Sequence, residues 1–183
     1  MKRFALLTLV LSAFAPGAFA QAPAADAYAH ILEAAPPNQR EGATVIKWKA
    51  DYTYDTLKKG TNRLVCYELS GMPGQQPFSI ECTSEANLTR AAQNLKFEAA
   101  GDKAKTQALL DEAEKTGARP KPEFGSVWFH LQGPSKEQAR KHMTVALPGA
   151  TTASTGLPDN PRQGGAWIMN AGTSTAHLMV PGE

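Results

Sequence analysis

Cys66 and Cys82 are the two cysteines of this 183-residue chain, so a single intramolecular disulfide is open to it. Between them runs Leu69-Ser-Gly-Met-Pro-Gly-Gln-Gln-Pro-Phe78, with Pro73-Gly74 in the order found at the centre of a type II turn. Apolar, strand-forming runs flank that turn, at Leu64 to Leu69 and Phe78 to Cys82. If Ser70 pairs with Phe78, Cys66 falls directly opposite Cys82. The spacing therefore predicts an antiparallel hairpin stapled across its two strands. Closing a loop of this size contributes about 3 kcal/mol in the chain-entropy model. Thiol–disulfide enzymes use Cys-x-x-Cys, which is missing from the sequence, so the pair is expected to be structural.

A lasting disulfide needs an oxidising compartment, and the start of the chain reads as an export signal. Lys2 and Arg3 precede the apolar stretch Phe4 to Phe14, Pro16-Gly17 interrupt it, and the small-residue sequence Ala18-Phe19-Ala20 follows. The run falls short of the roughly 20 apolar residues that span a bilayer. Residues 1–20 are thus expected to be a signal peptide cleaved after Ala20, which leaves a periplasmic or secreted protein with no membrane span. Removing Lys2 and Arg3 leaves 17 basic and 17 acidic residues. A chain with no net formal charge offers no electrostatic reason to expect nucleic acid.

Along the rest of the chain the hydrophobic period changes twice. Residues 21–41 read as a partly disordered leader, in which Asp26 to Ala35 form a short helix lying loosely on the surface until Pro36-Pro37 end it. Ala43 to Lys49, Tyr52 to Lys58 and Leu64 to Leu69 read as strands of a β-meander, with a turn at Lys59-Gly-Thr-Asn62. Ser84 then reads as the N-cap of a helix with Leu88, Ala91, Ala92, Leu95 and Ala99 at helical spacing. Gly101 ends it, and Asp102 caps a second helix carrying Ala108, Leu109 and Ala113. Strand character returns at Ser126 to Gln132, with Trp128, His130 and Gln132 on one side. One helical turn is expected at Lys136 to Lys141, then a strand at His142 to Leu147. Gly149 to Gly165 reads as a long unstructured loop, followed by short strands at Ala166 to Asn170 and Ala176 to Val180. Residues 42–183 thus predict a single α+β domain. Its antiparallel sheet, a meander, a sandwich or a partial barrel, is covered on one face by an inserted helical hairpin.

Lys59-Gly-Thr-Asn62 followed by Cys66, the run Val127-Trp-Phe-His-Leu-Gln-Gly133, and the ending Gly172-Thr-Ser-Thr-Ala-His-Leu-Met-Val-Pro181 resemble a family of small exported bacterial proteins of uncharacterised function. Members of that family carry a tryptophan just before the cysteine, where this chain has Val65. The resemblance implies export and a single domain, and no activity.

Two groups of residues are candidates for chemistry. His130, His142 and His177 fall on three different strands, and three imidazoles with a water make a known catalytic zinc geometry. Their spacing matches no metal-binding motif. The second group is aromatic: Trp128 and Trp167 lie on strands beside the long loop, whose Asn160 and Arg162 are available for polar contacts to a ligand. Trp48, Tyr52, Tyr54 and Tyr67 belong to the same aromatic set, and all six rings read equally as core filling, as strands rich in aromatics normally are. Asp111, Glu112 and Glu114 share their helix with lysines and read as a solvated face. No nucleophile motif, phosphate loop or cofactor signature occurs. The sequence is thus read as a non-enzymatic periplasmic protein that binds a small molecule or an envelope protein. The alternative reading is a metal-dependent hydrolase built on the three histidines.

Overall fold

The computed structural model describes residues 25–180. The signal-peptide reading of residues 1–20 and the first residues of the leader fall outside it. Eight strands form one open mixed sheet: β1 (Thr44–Trp48), β2 (Tyr54–Lys58), β3 (Leu64–Glu68), β4 (Phe78–Ser84), β5 (Val127–Gly133), β6 (Arg140–Ala146), β7 (Trp167–Met169) and β8 (His177–Met179). Their order is β2-β1-β3-β4-β5-β6-β8-β7, and every neighbouring pair is antiparallel except β1 with β3. The domain is α+β, and its sheet neither closes into a barrel nor splits into a sandwich.

The first three strands do not make the meander that local sequence suggests. After the β1–β2 hairpin the chain crosses the end of β1 and lays β3 parallel to it on the far side. Gly60 makes that crossing possible, because a Cβ there would lie 2.3 Å from the Gly42 carbonyl oxygen. Thr61 and Asn62 donate their backbone N–H groups to the same oxygen. From β3 to β6 the sheet is a true meander. Its β3–β4 register pairs Cys66 with Cys82, which are joined by a disulfide.

Strand alternation sorts side chains onto two faces. On the disulfide face, Val45, Leu64, Cys66, Ile80, Cys82 and Leu131 are buried together. They are covered by a 3-10 helix, Ala25–Ala34, from the segment read as a loose leader. A helix with three residues per turn stacks positions i and i+3, so Tyr28, Ile31 and Ala34 share one side and pack on the sheet with Leu32 and Ala35. The segment belongs to the core because its few apolar residues follow that threefold period.

On the other face, Ile46, Trp48, Val65, Tyr67 and Leu69 pack against Leu88, Ala91 and Leu95 of α1 (Leu88–Glu98). This half of the helical hairpin covers only the β1–β3 side of the sheet. The second helix, α2 (Lys103–Lys115), packs on α1 and buries only Ala113. Asp102 caps it as expected, accepting the N–H groups of Ala104 and Lys105. Ser84 does not cap α1: its hydroxyl donates to Glu123 on the segment leading into β5.

Two other local expectations change. Residues 134–139 form the β5–β6 turn rather than a helical turn, and β6 begins at Arg140. The stretch Gly149 to Gly165 is structured, with a short helix α3 (Thr152–Thr155) whose Thr151 and Ser154 form a reciprocal capping box. It encloses a small third core around Ala150, Ile168 and Ala176. Among the described residues, no helix is long and apolar enough to cross a membrane.

Ile31 is 5% exposed under the N-terminal helix. Ile31→Ala is therefore expected to lower the unfolding free energy by about 2–4 kcal/mol in urea titrations. A loss below about 0.5 kcal/mol, the size of an ordinary surface substitution, would return the segment to the surface.

Candidate functional site

Because α1 covers only the β1–β3 side, the same face of β4, β5, β6 and β8 is left open. A cavity of about 420 Å³ lies there. Its floor carries Glu81, Trp128, His130, Gln132, His142, Thr144, His177 and Met179 from those strands, and its wall carries Arg90, Asn94 and Glu98 from α1. Arg119 and Pro122, on the segment between α2 and β5, complete the wall. That segment is tied down by the buried Asn87, which accepts the Glu123 N–H and donates to the hydroxyls of Thr83 and Ser126.

The strand registers line up one row of polar side chains across the floor. Tyr67 pairs with Glu81, Glu81 with His130, and His130 with His142. The Tyr67 hydroxyl donates to Glu81 Oε2 at 2.9 Å, and Glu81 Oε1 lies 2.9 Å from His130 Nδ1. Both carboxylate oxygens are thereby engaged, and the His130 ring is held with Nδ1 toward Glu81. Burial drives His130 toward its neutral form, but the charge of Glu81 and its hydrogen bond outweigh that and hold the imidazole pKa above its ordinary value. His142 stacks on it with ring centroids 5.8 Å apart. Burial, and then the charges of His130 and His177, hold His142 below the ordinary value. Burial, reinforced by Glu81, raises the Tyr67 phenol well above its usual range, so it remains a donor.

The helix-side wall is cationic. Arg90 is 4% and Arg119 7% exposed. Burial, with the neighbouring Arg119, lowers Arg90 to about 10, and burial lowers Arg119, so both remain charged near neutral pH. Glu98, which accepts a hydrogen bond from Gln75 at 2.7 Å, is pushed up by burial.

Of the residues singled out by sequence, Trp128, His130, His142 and His177 line the cavity, whereas Trp167, Asn160 and Arg162 do not. Asn160 instead accepts the Arg162 N–H at 2.9 Å in a local turn. Trp48 and Tyr67 belong to the core, as expected, whereas Tyr54 of β2 is exposed. The three histidines share a face, yet among the described residues no three His, Cys, Asp or Glu side chains are arranged to hold a metal ion. Register explains the separation: His177 pairs with Ala146, four residues along β6 from His142, on the order of 13 Å of strand. Arg90, Asn94 and Glu98 are the residues that sequence reasoning passed over. They recur at i, i+4 and i+8 of α1, a polar stripe beside the apolar stripe of Leu88, Ala91 and Leu95.

Glu81→Gln removes the carboxylate that raises His130. A raised imidazole pKa contributes stability that is fully present below the unfolded value, near 6.5, and is lost as pH rises through the folded value. The variant is thus expected to lose most stability on the acid side and least on the alkaline side, while the His130 midpoint in an NMR titration moves down. An unshifted midpoint would show that Glu81 does not set the His130 charge. Compared with known family models, curated proteins and solved structures, the chain matches none, and the cavity's function rests on its own chemistry.

Proposed function

We propose that this is an exported bacterial protein that binds a small polar molecule in the cavity beside α1 without transforming it. The observation that carries this reading is the composition of the cavity: about 420 Å³, within the range of small-molecule sites, lined by charged and hydrogen-bonding side chains with Trp128 among them. The lining is supplied by five strands, by α1, by the segment that Asn87 ties down and by the turns before β4 and β8, and hydrogen bonds fix several of its polar groups before any ligand arrives. Such pre-organisation lowers the entropic cost of binding.

One observation favours a catalytic reading instead. His130 and His142 are displaced to opposite sides of the ordinary imidazole value within one cavity, the pattern of an acid and a base placed side by side. The metal-dependent form of that reading, a hydrolase with three histidine ligands, is weakened by the distance between His177 and the other two. Zinc titration of the metal-free protein separates the two forms. One equivalent bound tightly, with loss on His142→Ala, would favour the hydrolase.

The binding reading is tested by NMR, with amino acids, monosaccharides and dicarboxylates as probes. At least one class is expected to shift the Trp128 indole and Thr144 amide resonances, and Thr144→Trp, which fills the floor, is expected to abolish the response. Silence at those resonances for every class would reject the reading. Export is supported by the signal-like sequence and by the disulfide, which suits an oxidising compartment. Protein recovered from the periplasm or medium is expected to begin at Gln21 by intact mass. Recovery of an uncleaved cytoplasmic chain would refute export.

A further inference from the structure

Arg90 and Arg119 stand out because both are buried in one wall and neither has a carboxylate within ion-pairing distance among the described residues. Buried guanidinium groups are ordinarily paired, since burying a charge without compensation is costly. Here every protein partner is neutral. Arg90 donates to the Pro120 carbonyl, to the Ser174 hydroxyl, and to the Thr175 hydroxyl at 2.9 Å. Arg119 donates to the side-chain oxygens of Gln93 and Asn94. Each guanidinium carries five N–H donors, so both retain unused ones, and the Arg119 Nε is buried with no acceptor among the described residues.

The carboxylates close enough to act on them are occupied elsewhere. Glu114 accepts the backbone N–H and the hydroxyl of Ser174. Glu98 is bonded to Gln75, and burial favours its neutral form. Across the cavity, Glu81 is matched by His130. The wall therefore holds two guanidiniums that no carboxylate bonds directly, with spare donors and neutral acceptors holding them in place.

We infer that Arg90 and Arg119 form an oxyanion subsite, and that the cavity's ligand is a small organic anion whose charged oxygens meet the two guanidiniums while its carbon skeleton lies toward Trp128 and Met179. This deepens the binding reading above and rests on it. A planar carboxylate and a phosphate monoester present the same chemistry to an arginine fork.

The test is calorimetric titration of the disulfide-bonded protein beginning at Gln21, using the matched pairs benzoate and benzamide, and succinate and succinamide, with phenyl phosphate alongside benzoate. Each acid is expected to bind at least about tenfold more tightly than its amide, a difference of roughly 1.4 kcal/mol. Arg119→Gln is expected to erase that difference. Tighter binding of phenyl phosphate than of benzoate assigns the subsite to phosphate esters, and the reverse assigns it to carboxylates. Equal affinity for acid and amide overturns the anion subsite while the binding reading stands. No binding of any of these compounds, together with silence from the NMR probes, overturns both. Should Arg119→Gln fail to fold, the wild-type protein still decides the matter. Raising sodium chloride from about 0.05 to about 0.5 M is expected to weaken the acids and spare the amides, and salt-independent acid binding overturns the subsite.

Discussion

The covalent pairing of Cys66 with Cys82 fixes the β3–β4 register, and much of the molecule's chemistry depends on that register. Side chains alternate along a strand, so a slip of one residue would send each side chain of β4 to the opposite face. With the two sulfurs on one face, Tyr67 and Glu81 are committed to the other, directly opposite each other. The pairing of β4 with β5, and of β5 with β6, then carries the row on to His130 and His142. A disulfide outside the cavity thus determines which groups stand inside it. Its contribution of about 3 kcal/mol to stability is one part of its role, and holding register is the other.

The second constraint is coverage. Among the described residues the sheet is eight strands wide, but each of its faces is covered only in part by a single helix. The 3-10 helix shields the disulfide face near β3, β4 and β5, and α1 shields the other face near β1 and β3. Because α2 packs on α1 instead of on the sheet, the hairpin adds no width. What remains open on the helix side is polar in its centre, with Gln132, His142 and Thr144 where a covered sheet would carry aliphatic residues. Alternation produces this arrangement too, since the opposite face of β5 carries the apolar Phe129 and Leu131.

Much of this was legible in the chain. The stapled hairpin, the two helices with the Asp102 cap, and the side of β5 that carries Trp128 and His130 follow from spacing and period alone. The parallel β1–β3 pairing was not, because it depends on a crossing at Gly60 whose need for glycine arises only when Gly42 is beside it. The N-terminal segment was misread through its polarity: a 3-10 period buries one residue in three, so a segment poor in apolar residues can still supply a core face. Trp167, Asn160 and Arg162 pair with Trp128 only through the expectation of a long loop beside tryptophan-bearing strands, while the fold places them in a local turn and on the edge strand β7. Arg90 is not legible in this way because a charged residue on a helix ordinarily faces water. The segment from Arg119 to Pro122 and the turn at Ser174 and Thr175 together turn Arg90 into a buried group.

Net charge is a poor guide to such a site. The chain from Gln21 onward balances its formal charges, yet positive charge collects in one wall, where low polarizability and exclusion of water strengthen its field. Glu114 shows how the balance is kept local without being cancelled. It lies near enough to both arginines to moderate their loss of basicity, but its oxygens are committed to Ser174. Turned toward Arg90, the same carboxylate would form an ordinary buried ion pair and close the wall to any other anion. Its hydrogen bonds to the turn before β8 hold it off, and the unpaired guanidiniums persist because the fold gives their natural partner something else to bind.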